Sequence, residues 1–219
     1  MDLNKREREA AADPEDEGGQ LRLEALRARL GERGLGRRLL EELDWSKQAH
    51  AFGPATETRE LLIRLFAALD DGVPTEDTRH AVWDHLTLAV LQQTTLFPVA
   101  PVVARVLLGE WFAGRFRRDD RARRRVVEWF ALMAARINVH RDRTAELRAI
   151  AETIEDPIDA ADALGDPELM SIAGARSVLD CLELESLLRE ALNEGCRDEC
   201  EVIREAASAA VLPEGDARG

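Results

Sequence analysis

The segment HAVWDH contains residue types that bind a catalytic metal. His80 and Asp84 are four positions apart, so a helix places both side chains on one face, where they could bind the same ion. A catalytic zinc site needs a third protein ligand, and only folding could supply one, from His50 or His140. The alternative is an exposed hydrogen bond between His80 and Asp84 beside a buried Trp83. Because the HExxH order is absent, we favour this alternative and expect no metal and no cofactor.

The three cysteines are a second set of candidate ligands. Cys196 and Cys200 are spaced i, i+4, and Cys181 lies one predicted helix earlier. Thiolate metal sites usually have four ligands, often in CxxC pairs, and neither feature occurs here. We therefore predict buried free thiols, as expected in a reducing compartment.

The segment Arg115–Arg125 contains seven arginines and two aspartates. Arginine binds phosphate bidentately, so nucleic acid is one possible ligand. Two other interpretations are ion pairing with the acidic C-terminal helices and docking of an acidic partner. Phosphate-backbone affinity depends on many cations, and this is a single patch in an acidic chain, so nucleic acid is the least favoured of the three. The candidate contact residues are Arg117, Arg118, Arg121 and Arg124.

Motifs that define common enzymes are missing from the sequence. It contains no GxSxG elbow, no Walker loop, no dinucleotide fingerprint and no nucleophile-triad spacing. We therefore predict a protein that is not an enzyme, with a metal-dependent enzyme using His80 and Asp84 as the alternative.

Helices must position all of these residues. Alanine, leucine, arginine and glutamate dominate the composition, there is no tyrosine, and strand formers rarely alternate with polar residues. Apolar residues recur at i, i+3 and i+4 in successive segments. These segments are Leu21–Trp45, Thr56–Leu69, Thr75–Gln92, Leu96–Phe112, Asp120–Ile137, Asp142–Ile154, Asp166–Asp180, Cys181–Gly195 and Arg197–Leu212.

Short links between amphipathic helices predict antiparallel pairs that stack to bury their apolar faces. Trp45–Phe97 and Pro98–Ile137 are each about as long as a HEAT unit of about 40–47 residues. The predicted fold is all-α, an α-solenoid of HEAT-like helix pairs, with a compact helical bundle as the alternative.

The stretch from Trp45 to Phe66 predicts a joint between helices. A Gly53-Pro54 turn ahead of a helix sets the direction of the chain. We expect Trp45 and Phe52 to pack in this joint and His50 to hydrogen-bond a neighbouring helix end. Four further residues are assigned to the same structural role: Trp83, Gln93, Thr95 and Phe97.

Charge is distributed unevenly along the chain. The net charge is -13, and the residues from Glu146 to the C-terminus include 19 acidic and 6 basic residues, which accounts for all of it. This asymmetry would attract a basic partner protein and repel nucleic acid; the alternative is a well-solvated helical surface with no selected partner. The candidate contact residues are Glu183, Glu185, Glu190, Glu194, Asp198 and Glu201.

The expected domain organisation is a disordered tail at residues 1–20, one helical domain at 21–211 that is acidic from about residue 146, and a disordered tail at 212–219. No apolar run approaches the roughly 20 residues that span a bilayer, so we expect no membrane contact. The N-terminus has no apolar core of a secretory signal, which predicts a cytoplasmic protein. The sequence leaves the oligomeric state open.

Two motifs resemble a family. The segment His50-Ala51-Phe52-Gly53-Pro54-Ala55, preceded by Trp45, is similar to the Trp and His-Ala-Tyr-Gly-x-Ala signature of bacterial HEAT-repeat-like proteins. Their second motif, His-Gln-Gly-Thr before an aromatic residue, corresponds to Gln92-Gln93-Thr94-Thr95-Leu96-Phe97, where Gln92 replaces His and Thr94 replaces Gly. The resemblance covers about Trp45–Trp111. It implies an α-solenoid that binds protein, such as an immunity or adaptor protein of bacterial conflict systems.

Overall fold

The structure, a computed structural model, describes residues 35–72, 76–92, 95–154, 156 and 158–210. Both predicted tails, the expected helix start at Thr75 and the joint residue Gln93 lie outside these ranges.

Helices make up most of the described chain, which confirms the all-α prediction. The α-helices are α1 (Leu35–Glu42), α2 (Thr56–Asp70), α3 (Glu76–His85), α4 (Ala100–Phe112), α5 (Asp120–His140), α6 (Thr144–Ala151), α7 (Pro167–Glu183), α8 (Glu185–Cys196) and α9 (Glu201–Ala210). A π-helix at Leu86–Val90 continues α3, and 3₁₀ turns occupy Trp45–Lys47, Arg115–Arg118, Arg141–Arg143 and Asp162–Gly165. A short antiparallel hairpin, β1 (Ala49–His50) and β2 (Gly53–Pro54), was not expected from the sequence.

Side-chain caps begin two of the helices as their sequences suggest. The Asp119 carboxylate accepts a hydrogen bond from the Ala122 N–H at the start of α5. The Asp166 carboxylate accepts from the N–H groups of Glu168 and Leu169, and Pro167 takes the first helical position of α7. Each cap satisfies N–H groups that have no partner inside their helix.

The predicted helix Asp142–Ile154 is shorter in the structure. Its start is later because α5 runs on to His140 and a 3₁₀ turn follows, closed by a hydrogen bond from the Thr144 hydroxyl to the Arg141 carbonyl. Its end is earlier, at Ala151. There the Arg176 guanidinium on α7 donates to the carbonyls of Ala151 and Ile154, which gives these groups partners outside a helix.

The C-terminal helices also differ from prediction. The α8 helix continues through Gly195 to Cys196, so Cys196 and Cys200 do not share a helix. Gly195 is buried where α5 and α9 approach, and an added Cβ would lie 3.0 Å from the Cβ of Ala207. Cys181 is buried, whereas Cys196 and Cys200 are half-buried, and all three are free thiols.

The centre of the domain is built on α4 and α5. The α4 helix is buried on most of its circumference and contacts α1, α7 and α8, while α5 contacts α7, α8 and α9. These partners lie far apart in sequence, so long-range packing as well as local pairing assembles the core. The nearly continuous apolar run Val102–Leu108 is the sequence signal for a helix buried on several sides.

A polar network crosses this apolar region. The Arg115 guanidinium donates to the buried Glu110 carboxylate (Nη1–Oε2, 3.0 Å) and to Asp70 at the end of α2 (Nε–Oδ1, 3.0 Å). It also lies 4.8 Å from the centroid of the Phe66 ring. On the far side of Glu110, Gly36 of α1 approaches so closely that an added Cβ would lie 2.6 Å from Oε1. Three helices and a 3₁₀ turn therefore meet at one ion-paired carboxylate.

We expect Arg115→Ala to lower the free energy of unfolding by about 2–4 kcal/mol, because it leaves the Glu110 charge buried without its partner. Urea unfolding followed by circular dichroism measures this change. Arg118→Ala, an exposed arginine of the same 3₁₀ turn, is the matched control and should change stability by less than about 0.5 kcal/mol. Equal effects of the two substitutions would contradict a structural role for the network.

Candidate functional site

The hairpin lies between α1 and α2 and is fixed to the rest of the domain. Its registered pairs are Ala49 with Pro54 and His50 with Gly53, with Ala51 and Phe52 forming the turn. Gly53 has φ of 141°, in the region that favours glycine.

Backbone bonds anchor the hairpin on two sides. The Ala51 N–H donates to the Ala89 carbonyl of the π-helix (2.9 Å), and the Val99 N–H donates to the Ala49 carbonyl (3.1 Å). The joint is therefore a small, rigid β-structure, and the Gly-Pro pair forms its second strand.

The two aromatic residues of the joint have opposite environments. Trp45 is 2 % exposed, and its indole N–H donates to the Leu39 carbonyl (3.1 Å), which confirms that it packs in the joint. Phe52 is 69 % exposed, so the prediction that it packs there is wrong. The reason is its position at the tip of the hairpin turn, which the sequence alone did not indicate.

Two histidines meet beneath this tip. His50 is 3 % exposed and its ring lies edge-on to that of His85, with 5.1 Å between ring centroids. The His50 Nδ1 accepts the Phe52 N–H (3.1 Å), which replaces the expected bond to a helix end and leaves the ring proton on Nε2. His85 Nε2 is hydrogen-bonded to the buried Thr58 hydroxyl on α2 (2.8 Å). Within the described residues His50 Nε2 has no hydrogen-bond partner.

Burial favours the neutral form of both imidazoles. Burial lowers the pKa of His50, and the proximity of His85 lowers it further, while Glu57 opposes the shift. Burial likewise lowers the pKa of His85. Protonation of either ring would place a cation in a poorly solvated pocket next to the other ring.

Two exposed apolar side chains lie on the hairpin and on the π-helix that is bonded to it. Phe52 is 69 % exposed, and Leu88, on the π-helix, is 58 % exposed. The Ala51–Ala89 backbone bond ties their two segments together. We call Phe52 and Leu88 the hairpin surface.

The second motif of the resemblance connects the π-helix to α4. Thr95 is exposed and its N–H donates to the Gln92 carbonyl (2.9 Å). Phe97 is half-buried, and its carbonyl accepts the Ser177 hydroxyl of α7 (2.8 Å). Thr95 and Phe97 therefore form backbone hydrogen bonds that stabilise the loop between the π-helix and α4.

The residues proposed for a metal do not converge. His80 and Asp84 are exposed on α3, and Trp83 between them is buried, as the structural alternative expects. Among the residues whose positions are described, no three His, Cys, Asp or Glu side chains are grouped to hold an ion. His50 and His140 therefore do not complete a site with His80 and Asp84.

Most of the arginine cluster pairs within the chain. Arg123 pairs with Asp120 (2.7 Å) and with Asp198 before α9 (3.2 Å), and both Arg124 and Arg125 pair with Glu128. These contacts favour intramolecular pairing among the three interpretations of the cluster. Arg117, Arg118 and Arg121 are exposed.

The acidic candidates fall into two groups. Glu183 and Glu201 are exposed, whereas Glu185, Glu190, Glu194 and Asp198 are half-buried. In the half-buried group, Glu185 pairs with Arg141 and Arg189, Glu194 accepts the Trp111 indole N–H (3.0 Å), and Asp198 pairs with Arg123. Binding of a partner by these six residues stays a prediction.

A cleft of about 400 Å³ lies where the arginine cluster meets the C-terminal helices. It brings together three candidates from different parts of the sequence, Arg117, Glu194 and Asp198. The other lining residues are Trp111, Phe112, Phe116, Arg123, Arg197 and Glu199, and we call the site the Trp111 cleft. Sequence reasoning missed it because its walls come from α4, a 3₁₀ turn, α5 and the α8–α9 link, which no local pattern brings together.

No family model, curated protein or solved structure matches the chain. Within the described ranges, no helix is long and apolar enough to cross a membrane. The fold and its sites therefore define a class only: an all-α protein with an aromatic-tipped hairpin and a charged cleft.

We expect the free energy of unfolding to fall as the pH drops from 7 to 5. Both histidines have folded pKa values below the ordinary 6.5, so the unfolded chain binds protons first as the pH falls through that value. Their stabilising effect is complete above the ordinary pKa and is lost progressively below it. Urea unfolding at several pH values measures the slope.

The matched variant is His50→Asn/His85→Gln, in which amide groups replace the hydrogen-bonding Nδ1 and Nε2 without titrating. It should lose much of the slope between pH 7 and pH 5, while His80→Gln, at an exposed site, should keep it. Carboxylates titrate in the wild type and in both variants, so their contribution to the slope cancels in the comparison. An unchanged slope in the double variant would show that the pair is not the sensor.

Proposed function

We propose that this chain is a non-enzymatic protein-binding module whose partner contacts the hairpin surface. The observation that carries the proposal is the position of Phe52, 69 % exposed at the tip of an anchored hairpin. Burial of a phenylalanine is worth about 1.5–3 kcal/mol, and the isolated fold does not gain it. Buried aromatic anchors dominate the energy of many protein interfaces.

Rigidity of the hairpin supports the same proposal. The turn is held by backbone bonds to the π-helix and to the start of α4, and the Phe52 N–H is bound by His50. A preformed anchor loses little conformational entropy on binding, so more of its burial energy appears as affinity. Leu88 is a second exposed apolar side chain, on the π-helix to which the turn is bonded.

Charge supports a basic partner. The excess acidic charge is in the last third of the chain, and exposed carboxylates such as Glu183 and Glu201 remain available there. Opposite charge on a partner would speed encounter and make the affinity fall as salt rises. The apolar anchor would then supply most of the lasting affinity.

The arrangement of the helices has features of both a HEAT-like stack and a compact bundle. Helices adjacent in sequence pair, as α6 with α7 and α8 with α9, which is also a feature of a HEAT-like stack. Packing of α1 on α4 and of α9 on α5 joins distant parts of the chain, and this favours a compact bundle. An immunity or adaptor role in the bacterial cytoplasm is what the family resemblance adds, and the three free thiols suit that compartment.

The two rival functions have less support. Nucleic-acid binding would use Arg115–Arg125, but Arg115, Arg123, Arg124 and Arg125 already pair with carboxylates of the same chain. A metal-dependent enzyme would need a third ligand beside His80 and Asp84, and the described residues do not offer one.

Site-specific photo-crosslinking in a lysate of the native host tests the proposal. A benzoylphenylalanine at position 52 or 88 should form one discrete covalent adduct, identified by mass spectrometry. The matched control is position 139, where Val139 is as exposed as Leu88 (58 %) but lies on α5. Purified native protein should compete the adduct away, and the Phe52→Ala variant should compete poorly.

Adducts of the same pattern from all three positions, or none from position 52, would contradict binding at the hairpin surface. The adduct yield at position 52 should also fall between low and high salt. A yield that does not change with salt would remove the electrostatic part of the proposal and leave the apolar part standing.

We expect Phe52→Ala to weaken partner binding by more than about tenfold while changing the free energy of unfolding by less than about 0.5 kcal/mol, since the ring is exposed. Trp45→Ala should instead cost about 3–5 kcal/mol in stability, because it opens a cavity in the joint. Urea unfolding together with titration against the crosslinked partner separates the two effects. A large loss of stability in Phe52→Ala would mean that the ring is structural.

A further inference from the structure

We propose that the Trp111 cleft binds a small zwitterion with an aromatic side chain, such as a free aromatic α-amino acid. The site is separate from the hairpin surface and does not depend on the protein-binding proposal. At about 400 Å³ the cleft is within the range of small-molecule sites.

One wall of the cleft is aromatic and partly exposed. Trp111 and Phe112 at the end of α4 are half-buried, and Phe116 beneath them is buried. The indole of Trp111 is fixed by its hydrogen bond to Glu194 and by edge-on contact with Phe130, 6.0 Å between centroids. A fixed, half-buried indole offers a stacking surface for a planar side chain.

Formal charges lining the cleft are balanced. Three arginines, Arg117, Arg123 and Arg197, face three carboxylates, Glu194, Asp198 and Glu199. Among the exposed lining groups, a purely anionic ligand would meet repulsion from Glu199, and a purely cationic ligand would meet repulsion from Arg117 and Arg197. A ligand that carries both charges can use both halves, which is why we infer a zwitterion.

Internal contacts identify the groups that would face the ligand. Arg123 and Asp198 pair with each other, and Glu194 accepts the Trp111 indole N–H. Arg117, Arg197 and Glu199 are exposed, and no ion pair is formed by them within the described part of the chain. Arg117 and Arg197 would bind a ligand carboxylate, and Glu199 would bind a ligand ammonium.

Local backbone geometry positions these groups. Gly114 has φ of 78°, and an added Cβ there would lie 3.0 Å from Arg117 Nε, so the arginine folds back over the glycine toward the cleft. Arg197 is the C-cap of α8, and the carboxyl end of a helix carries partial negative charge. The carboxyl end of α8 and the Glu199 carboxylate favour the ligand ammonium. The guanidinium groups of Arg117 and Arg197 would bind the ligand carboxylate bidentately.

Isothermal titration calorimetry with L-phenylalanine and three analogues tests the inference. L-phenylalanine should bind in the micromolar to millimolar range. N-acetyl-L-phenylalanine lacks the ammonium, L-phenylalanine amide lacks the carboxylate and L-alanine lacks the ring. Each analogue should bind at least about tenfold more weakly, because each loses one of the three contacts.

Variants assign each contact to a residue. Arg117→Gln and Arg197→Gln should weaken L-phenylalanine but leave the amide nearly unchanged, and Glu199→Gln should weaken L-phenylalanine but leave the N-acetyl analogue nearly unchanged. Arg148→Gln and Glu152→Gln, exposed residues outside the cleft, are the charge-matched controls. All five substitutions are at exposed positions, so the fold should be retained, and circular dichroism checks this.

Two results would overturn the inference. One is absence of binding of L-phenylalanine up to about 5 mM, which is weaker than a built site of this size should give. The other is equal binding of L-phenylalanine and its three analogues, or equal effects of the cleft and control variants, which would indicate nonspecific association.

Discussion

The buried ion pair between Glu110 and Arg115 fixes how the helices of this protein meet. Removing both charges from water costs several kcal/mol, so the pair is tolerated only in the geometry that also satisfies it with Asp70 and the Phe66 ring. That geometry sets the distance of α2 from α4 and requires glycine at position 36 on α1.

Both candidate sites are built on the ends of this framework. At one end, the π-helix and Val99, the N-cap of α4, anchor the hairpin through two backbone bonds, and the His50 and His85 rings meet beside the turn. The pair is a polar contact that stabilises only while both rings are neutral. At the other end, the 3₁₀ turn that carries Arg115 also carries Arg117, so the residue that closes the ion pair lies two positions from the rim of the Trp111 cleft.

The two sites suggest two physical modes of binding. The hairpin surface is exposed and apolar, and it would gain energy by burying an aromatic ring. The Trp111 cleft is concave, with a fixed aromatic wall and balanced charge, and would select a ligand by the placement of opposite charges. Because they are formed by different elements, each can be altered without removing the other. The net charge of -13 would affect how fast a charged partner protein is encountered, whereas the lining residues of the cleft would decide which ligand it selects.

The sequence by itself determined the local structure. Apolar spacing located α2 to within one residue and the start of α5, whose end lies three residues beyond the predicted Ile137. Asp166-Pro167 correctly marked the start of α7, because caps and helical periodicity depend on neighbours a few positions apart. Only the tertiary structure decided that Phe52 is exposed, that Gly195 continues a helix and that Arg117, Glu194 and Trp111 share a cleft. These outcomes depend on contacts between residues that are far apart in sequence, and local patterns contain no information about which distant helix a side chain will face.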